Sequence, residues 1–435
     1  ESPIVGEPSI EESHILDEFN ELLSSGKADD LGKFIDENIE KADKTEAEYM
    51  IEMLVVYQSE LINDMNMKIY NVDYMNALNV DMGGALSRDR IDNIKDEAIR
   101  KEFQGLVDAK LTIVRYEENP VVETDWEEIN GLSNYFTDDF AKMTELNNLI
   151  QSHIYDYYYQ DFDALVKDIM ETEQLILSNE KSFLSWQLEI IYKKQVAALL
   201  VGPEGEYLGA FISKEGPVYD RVVEYDELYK ETDLGDLLDA LIKSEADDFS
   251  VLVNIIRSHN ILGLKSDKKV TIYMLSDGVS TFNMLRVDIP GDSALEEKVN
   301  KLIDEQVNSL SSDIEGQKLV FINPTYGTDE YLSLMISSTF INLESGYDFK
   351  SSFLTIDLET GEKVTLDEFF GSPFEEYRTS IEELKNLKLN EMPEFVMDSM
   401  GVILLVPIEK QDYPEHLMIS VIKTMDYIDP WVFYK

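Results

Sequence analysis

Phe353-Leu354-Thr355-Ile356-Asp357-Leu358-Glu359-Thr360-Gly361-Glu362-Lys363-Val364-Thr365-Leu366-Asp367-Glu368-Phe369-Phe370 is the stretch whose reading decides the fold. Its first five residues have the composition of a β-strand. Leu358-Glu359-Thr360-Gly361 reads as a tight turn, with glycine where the backbone needs positive φ. Glu362 to Val364 then pairs back. Thr365, with Glu368 three residues on, has the spacing of a capping box, so Leu366 to Phe370 reads as a short helix. A strand, a turn and a capped helical turn in this order belong to an α+β unit rather than to a helical bundle.

The flanking sequence agrees. Val270 to Leu275 and Val279 to Ile289 read as strands joined by a Ser276-Asp277-Gly278 turn. Ser293 and Glu296 read as the cap of an amphipathic helix bearing Leu295, Val299, Leu302, Ile303 and Val307. Strands are expected at Lys318 to Asn323 and Tyr331 to Ile341, the latter with Leu332, Leu334, Ile336 and Phe340 on one face at period two. A helix from about Phe374 to Leu387 and strands at Val402 to Ile408 and Leu417 to Ile422 complete a domain over 268–435. The apolar end Pro430-Trp431-Val432-Phe433-Tyr434 is expected to dock on it.

This arrangement resembles one uncharacterised extracellular domain family. That family forms the outer part of lysozyme-sensing anti-sigma factors and lies beside the catalytic domain of some peptidoglycan deacetylases. The likeness covers roughly Lys268 to Ile428. Two loops depart from the family pattern, Leu343-Glu344-Ser345-Gly346-Tyr347 and Glu409-Lys410-Gln411-Asp412-Tyr413-Pro414-Glu415. The resemblance implies an extracytoplasmic, membrane-tethered, non-catalytic domain in a Gram-positive-type envelope.

Helical periodicity dominates before residue 262. Ser9 with Glu12, Asp30, and Thr45 with Glu48 mark three helix starts. Longer helical stretches are expected at Arg88 to Tyr116, Thr137 to Ile150, Asp161 to Leu177, Ser182 to Leu200, Asp233 to Lys243 and Ala246 to Ser258. Asn119 to Leu132, with Pro120, reads as a loop. Pro203-Glu204-Gly205 and Lys214-Glu215-Gly216-Pro217 are turn signals, read as a small β insert over 197–229. The chain is thus expected to be α+β. Residues 1–8 form a linker, 9–262 pack as helical hairpins or a bundle, and 268–435 carry an antiparallel sheet with packed helices.

With 88 Asp and Glu against 37 Lys and Arg, the formal net charge of the 435 residues is −51. Such a field repels phosphate backbones, which argues against nucleic acid as a partner and favours cationic partners or plain solubility. The absence of cysteine excludes disulfides and thiolate chemistry. No apolar run approaches the roughly 20 residues of a transmembrane helix. The start at Glu1 is what a removed leader or a trimmed chain leaves, and a lipid anchor upstream of it is an expectation.

Site chemistry is sparse. His14, His153, His259 and His416 never fall at i,i+4 spacing, and no metal site or cofactor is expected. No Gly-x-Ser-x-Gly or phosphate-cradling glycine loop occurs. Asn79-Val80-Asp81-Met82-Gly83 comes nearest to an EF-hand loop and fails it. The aromatic residues Tyr155, Tyr157, Tyr158 and Trp186 are the candidate ligand-binding group, either as a stacking platform for sugar rings or as interhelical packing. The expected function is non-catalytic binding or sensing in the cell envelope, with a cationic protein or wall glycan as ligand. An envelope hydrolase using paired carboxylates and a structural surface lipoprotein are the alternatives.

Overall fold

A computed structural model describes residues 15–25, 27–84, 86–116, 119–153, 161–179, 183–202, 206–243, 262–264, 266–276, 281–312, 316–342, 346–385, 388–389, 392–398, 401–406 and 415–420. The expected linker 1–8, the Ser9–Glu12 cap, the 246–258 helix, the Asp277-Gly278 turn and the apolar C-terminal end lie outside them. The chain divides into two compact units, Glu1–Tyr155 and Asp156–Lys435, so residues 262–268 fall inside the second unit.

The first unit carries helices α1 (Ile15–Ser25), α2 (Ala28–Asn38), α3 (Lys44–Lys68), α4 (Val72–Asn76), α5 (Arg88–Ile91) and α6 (Glu97–Asp108). Strands β1 (Leu111–Tyr116) and β2 (Asn119–Thr124) follow, then α7 (Trp126–Asn130) and α8 (Asp138–His153). The capping box that opens α3 is Asp43 with Glu46, two residues before the expected Thr45 with Glu48, and each backbone N–H is held at 2.9 Å. The expected helix over 88–116 is instead α5, α6 and a strand, and the expected loop from Asn119 contains its antiparallel partner. Lys110, at φ +53°, breaks the helical run, and the β-branched alternation of Leu111-Thr112-Ile113-Val114 takes over. Pro120 is tolerated near the hairpin end, opposite Arg115.

Polar side chains stitch that hairpin to α3. Gln58 donates to the Ala109 and Lys110 carbonyls at 2.6 and 3.1 Å and accepts from the Thr124 hydroxyl at 2.7 Å. Asn66 clamps both backbone groups of Val122. The Lys110 ammonium, 1% exposed, bonds Asp36 at 2.5 Å and Glu128 at 2.9 Å. Burial pushes its pKa down, and the two carboxylates more than reverse that, leaving it raised.

The second unit begins with α9 (Phe162–Ser178), α10 (Phe183–Val201), α11 (Glu206–Ser213), α12 (Pro217–Tyr229) and α13 (Asp233–Lys243). The small β insert expected over 197–229 is therefore replaced by helices. The turn signal Pro203-Glu204-Gly205 lies outside the described residues, and the other is a helix boundary: Gly216 at φ +99° precedes Pro217 at the first position of α12. Glu189 of α10 accepts from the Leu264 N–H at 2.8 Å, tying the helices to the segment that leads into the sheet.

The sheet strands are β3 (Lys269–Ser276), β4 (Thr281–Asp288), β5 (Gln317–Gly327), β6 (Tyr331–Asn342), β7 (Gly346–Asp357) and β8 (Glu362–Lys363), in spatial order β3-β4-β5-β6-β7-β8. All neighbours are antiparallel except β4 and β5, which pair in parallel because α14 (Ser293–Ser309) carries the chain between them. The cap of α14 is Asp292, one residue before the expected Ser293, accepting from Leu295 N. Its Val299, Ile303 and Val307 share one core with Ile322, Leu334 and Leu354 of the sheet.

Phe353 to Phe370 forms as its sequence reads. The Asp357 carboxylate accepts from the Glu359 and Thr360 N–H groups at 2.8 and 2.9 Å, and Gly361 closes the turn at φ +67°. Thr365 and Glu368 form both halves of a capping box on α15 (Leu366–Phe370), which ends at Gly371 with φ +63°. After α16 (Phe374–Lys385), strands β9 (Glu394–Asp398), β10 (Gly401–Val406) and β11 (Glu415–Ser420) make a separate antiparallel sheet.

Candidate functional site

Strands β5 to β7 have two faces. One packs on α14. The other is covered in its central part by β9 and β10, through specific polar contacts. A bulge between Pro324 and Tyr326 frees the Thr325 hydroxyl to donate to the Met397 carbonyl at 2.8 Å. The buried Ser333 hydroxyl accepts from Met397 N at 3.0 Å, and the Thr355 hydroxyl donates to the Phe395 carbonyl at 3.1 Å. Glu394 accepts from the Ser352 hydroxyl at 2.7 Å, Phe353 N at 2.9 Å and Lys363 Nζ at 3.0 Å. Burial pushes the Glu394 carboxyl up, and these donors more than offset it, so its pKa is lowered. Phe353, Val396 and Leu405, with Met335 and Ile403, fill the space between the sheets.

Further along the same face lie aromatic residues that are left exposed. The register sets Phe321 opposite Ser337 and Ser351, Leu319 opposite Thr339 and Phe349, and Gln317 opposite Ile341 and Tyr347. Phe321 is 52% and Tyr347 78% exposed, and Phe349 is also exposed. The strands that carry these aromatic residues, β5 and β7, lie about 10 Å apart, with the hydroxyl-bearing Ser337 and Thr339 of β6 between them. The Ser351 hydroxyl, on the same face, is buried and makes no hydrogen bond. This open face can stack flat or cationic groups on its rings and offer hydroxyls to their polar edges.

The tyrosines expected to bind ligand, Tyr155, Tyr157 and Tyr158, lie outside the described residues. Trp186 is half-buried on α10, its ring 5.5 Å from that of Phe183, in a packing contact within the helical layer. Sequence reasoning missed Phe321 and Phe349. Two signals were available: the unbroken apolar run Leu319-Val320-Phe321-Ile322, which makes both faces of β5 apolar, and the aromatic alternation of Tyr347 and Phe349 with charged neighbours.

One carboxyl is raised far from its ordinary value. Glu48 and Glu52 lie one turn apart on α3, and burial, then the Glu48 charge, pushes the Glu52 carboxyl up to about 8. Glu48 itself accepts from Thr137 N at 2.5 Å. Among the described residues no group of three or more His, Cys, Asp or Glu is placed to hold a metal ion. No described helix is long and apolar enough to cross a membrane.

No family model matches the sequence, and no curated protein matches it. Two solved structures of DUF3298 family proteins are similar to part of the chain. One, from Bacteroides fragilis, is 11% identical with a TM-score of 0.28, over 38% of this chain and 96% of that one. The other, from Pseudomonas aeruginosa PAO1, is 9% identical with a TM-score of 0.27, over 39% of this chain and 96% of that one.

Proposed function

We propose that this chain is an extracytoplasmic, non-catalytic binding or sensing protein of the cell envelope, and that its partner is a cationic protein. The observation that carries this reading is the open aromatic face of β5–β7 in a chain of net charge −51. A negative field steers a basic protein toward the surface, and Lys or Arg side chains arriving there stack on Phe321 and Tyr347. Neither feature requires a reacting group. The test is binding to a lysozyme as basic probe, beside the same probe with its lysines acetylated and beside soluble wall glycan. Binding of the basic probe alone is expected. Equal binding of the acetylated probe overturns the electrostatic basis, and binding of glycan alone transfers the face to sugar recognition.

A second reading, an envelope hydrolase, draws on Glu52, whose raised pKa beside Glu48 is the pattern of a general acid beside a base. Turnover of wall glycan that is lost in Glu52→Gln and Glu48→Gln would establish it. Unchanged glycan would end it.

A further inference from the structure

The first unit holds a stretch in which basic residues are locally as frequent as acidic ones. From Met82 to Tyr116 the sequence has seven Lys and Arg against six Asp and Glu, in a chain with 37 against 88. Three of these cations meet carboxylates: Arg88 meets Asp108, Lys95 meets Asp81, and Lys110 meets Asp36 and Glu128. Arg90 and Arg115 do not. Arg90 donates to the Met82 carbonyl at 3.1 Å and Arg115 to the Asn79 side-chain oxygen at 2.9 Å, both neutral acceptors, and among the described residues neither forms an ion pair.

Both guanidinium groups stand against one turn. Gly83 and Gly84 take φ values of +62° and +81°. A Cβ on Gly83 would lie 3.2 Å from Arg90 Nη1, and one on Gly84 would lie 2.9 Å from Arg115 Nη2. The glycines therefore serve two purposes: they permit the left-handed backbone and let each guanidinium lie close to it. Adjacent Cα atoms are about 3.8 Å apart, so the two groups flank neighbouring residues.

We infer that the Gly83-Gly84 turn, flanked by Arg90 and Arg115, is a binding site for a phosphate-type oxyanion. Each guanidinium has five N–H donors and uses only part of them on the carbonyl or amide it holds. A tetrahedral oxyanion presents oxygen edges to both groups at once, whereas a carboxylate has a single bidentate edge. Among the described residues no carboxylate pairs with these two arginines, which leaves their charge available to an incoming anion.

The test uses the full chain with inorganic phosphate, sodium acetate and sodium chloride at matched ionic strength, read by thermal shift and by phosphorus NMR. A saturable shift with phosphate that acetate and chloride do not give is expected. The double variant R90K/R115K keeps both charges and loses both guanidinium forks, so a roughly tenfold weaker phosphate affinity is expected, with the circular dichroism of the folded protein retained. Phosphatidylglycerol vesicles, assayed beside free phosphate, separate a headgroup from a soluble ligand, and whichever is bound must be released in the double variant. Equal shifts from all three salts, or a double variant that binds like the parent, would overturn the site.

Discussion

At Gly361 the left-handed backbone strains any side chain. Its Cβ would meet Leu295 Cδ1 at 2.8 Å while the backbone holds φ +67°. Gly361→Ala is expected to destabilise the second unit by about 2–3 kcal/mol, read as a lower denaturant midpoint. Glu52 gives a pH signature. Its folded pKa, about 8, lies above its unfolded value, so the folded state holds the extra proton between roughly pH 4.5 and 8. Stability therefore falls as pH rises through that window, and the penalty is complete above it. Glu52→Gln is expected to flatten this slope and to raise stability at pH 9 by on the order of 2 kcal/mol. An unchanged slope in thermal melts from pH 5 to 9 would contradict the assignment.

At the scale of elements, Glu394 fastens β9 across the sheet edge. Its pKa is lowered, so its contribution is fully present above the unfolded carboxyl value and is lost as pH falls through the folded one. Glu394→Gln loses the charge in bonds from Ser352, Phe353 and Lys363 and is expected to cost about 1–3 kcal/mol at pH 7, a difference that shrinks in melts below pH 4. Element identity was legible wherever local hydrogen bonds decide it. The Asp357 turn and the Thr365–Glu368 cap are sequence-local, and both form as read. The β1–β2 hairpin was not legible because apolar residues at helical spacing continue past α6, and lysine does not advertise the φ of +53° at which Lys110 ends it. Likewise, Gly216-Pro217 announces an interruption without saying that helices lie on both sides. The open face was hidden for a different reason. Exposure of Phe321 and Tyr347 depends on what packs over them, a tertiary fact that no strand carries in its own alternation.

At the scale of the whole molecule, charge governs behaviour. Fifty-one net negative charges repel one another in the compact state, and salt screens them. Raising sodium chloride from 10 to 150 mM is therefore expected to raise the melting temperature, whereas a chain with balanced charge would scarcely respond. The same field should make association with a basic protein fast and sensitive to salt, while the aromatic face governs how long the complex lasts. The most direct test is stopped-flow association and dissociation of the lysozyme probe against ionic strength, for the parent chain and for Phe321→Ala/Tyr347→Ala. An association rate that falls steeply with salt in both proteins, with dissociation about tenfold or more faster in the double variant, is the expected result. An association rate indifferent to salt, or a double variant that dissociates as slowly as the parent, would contradict recognition of a cationic protein on this face.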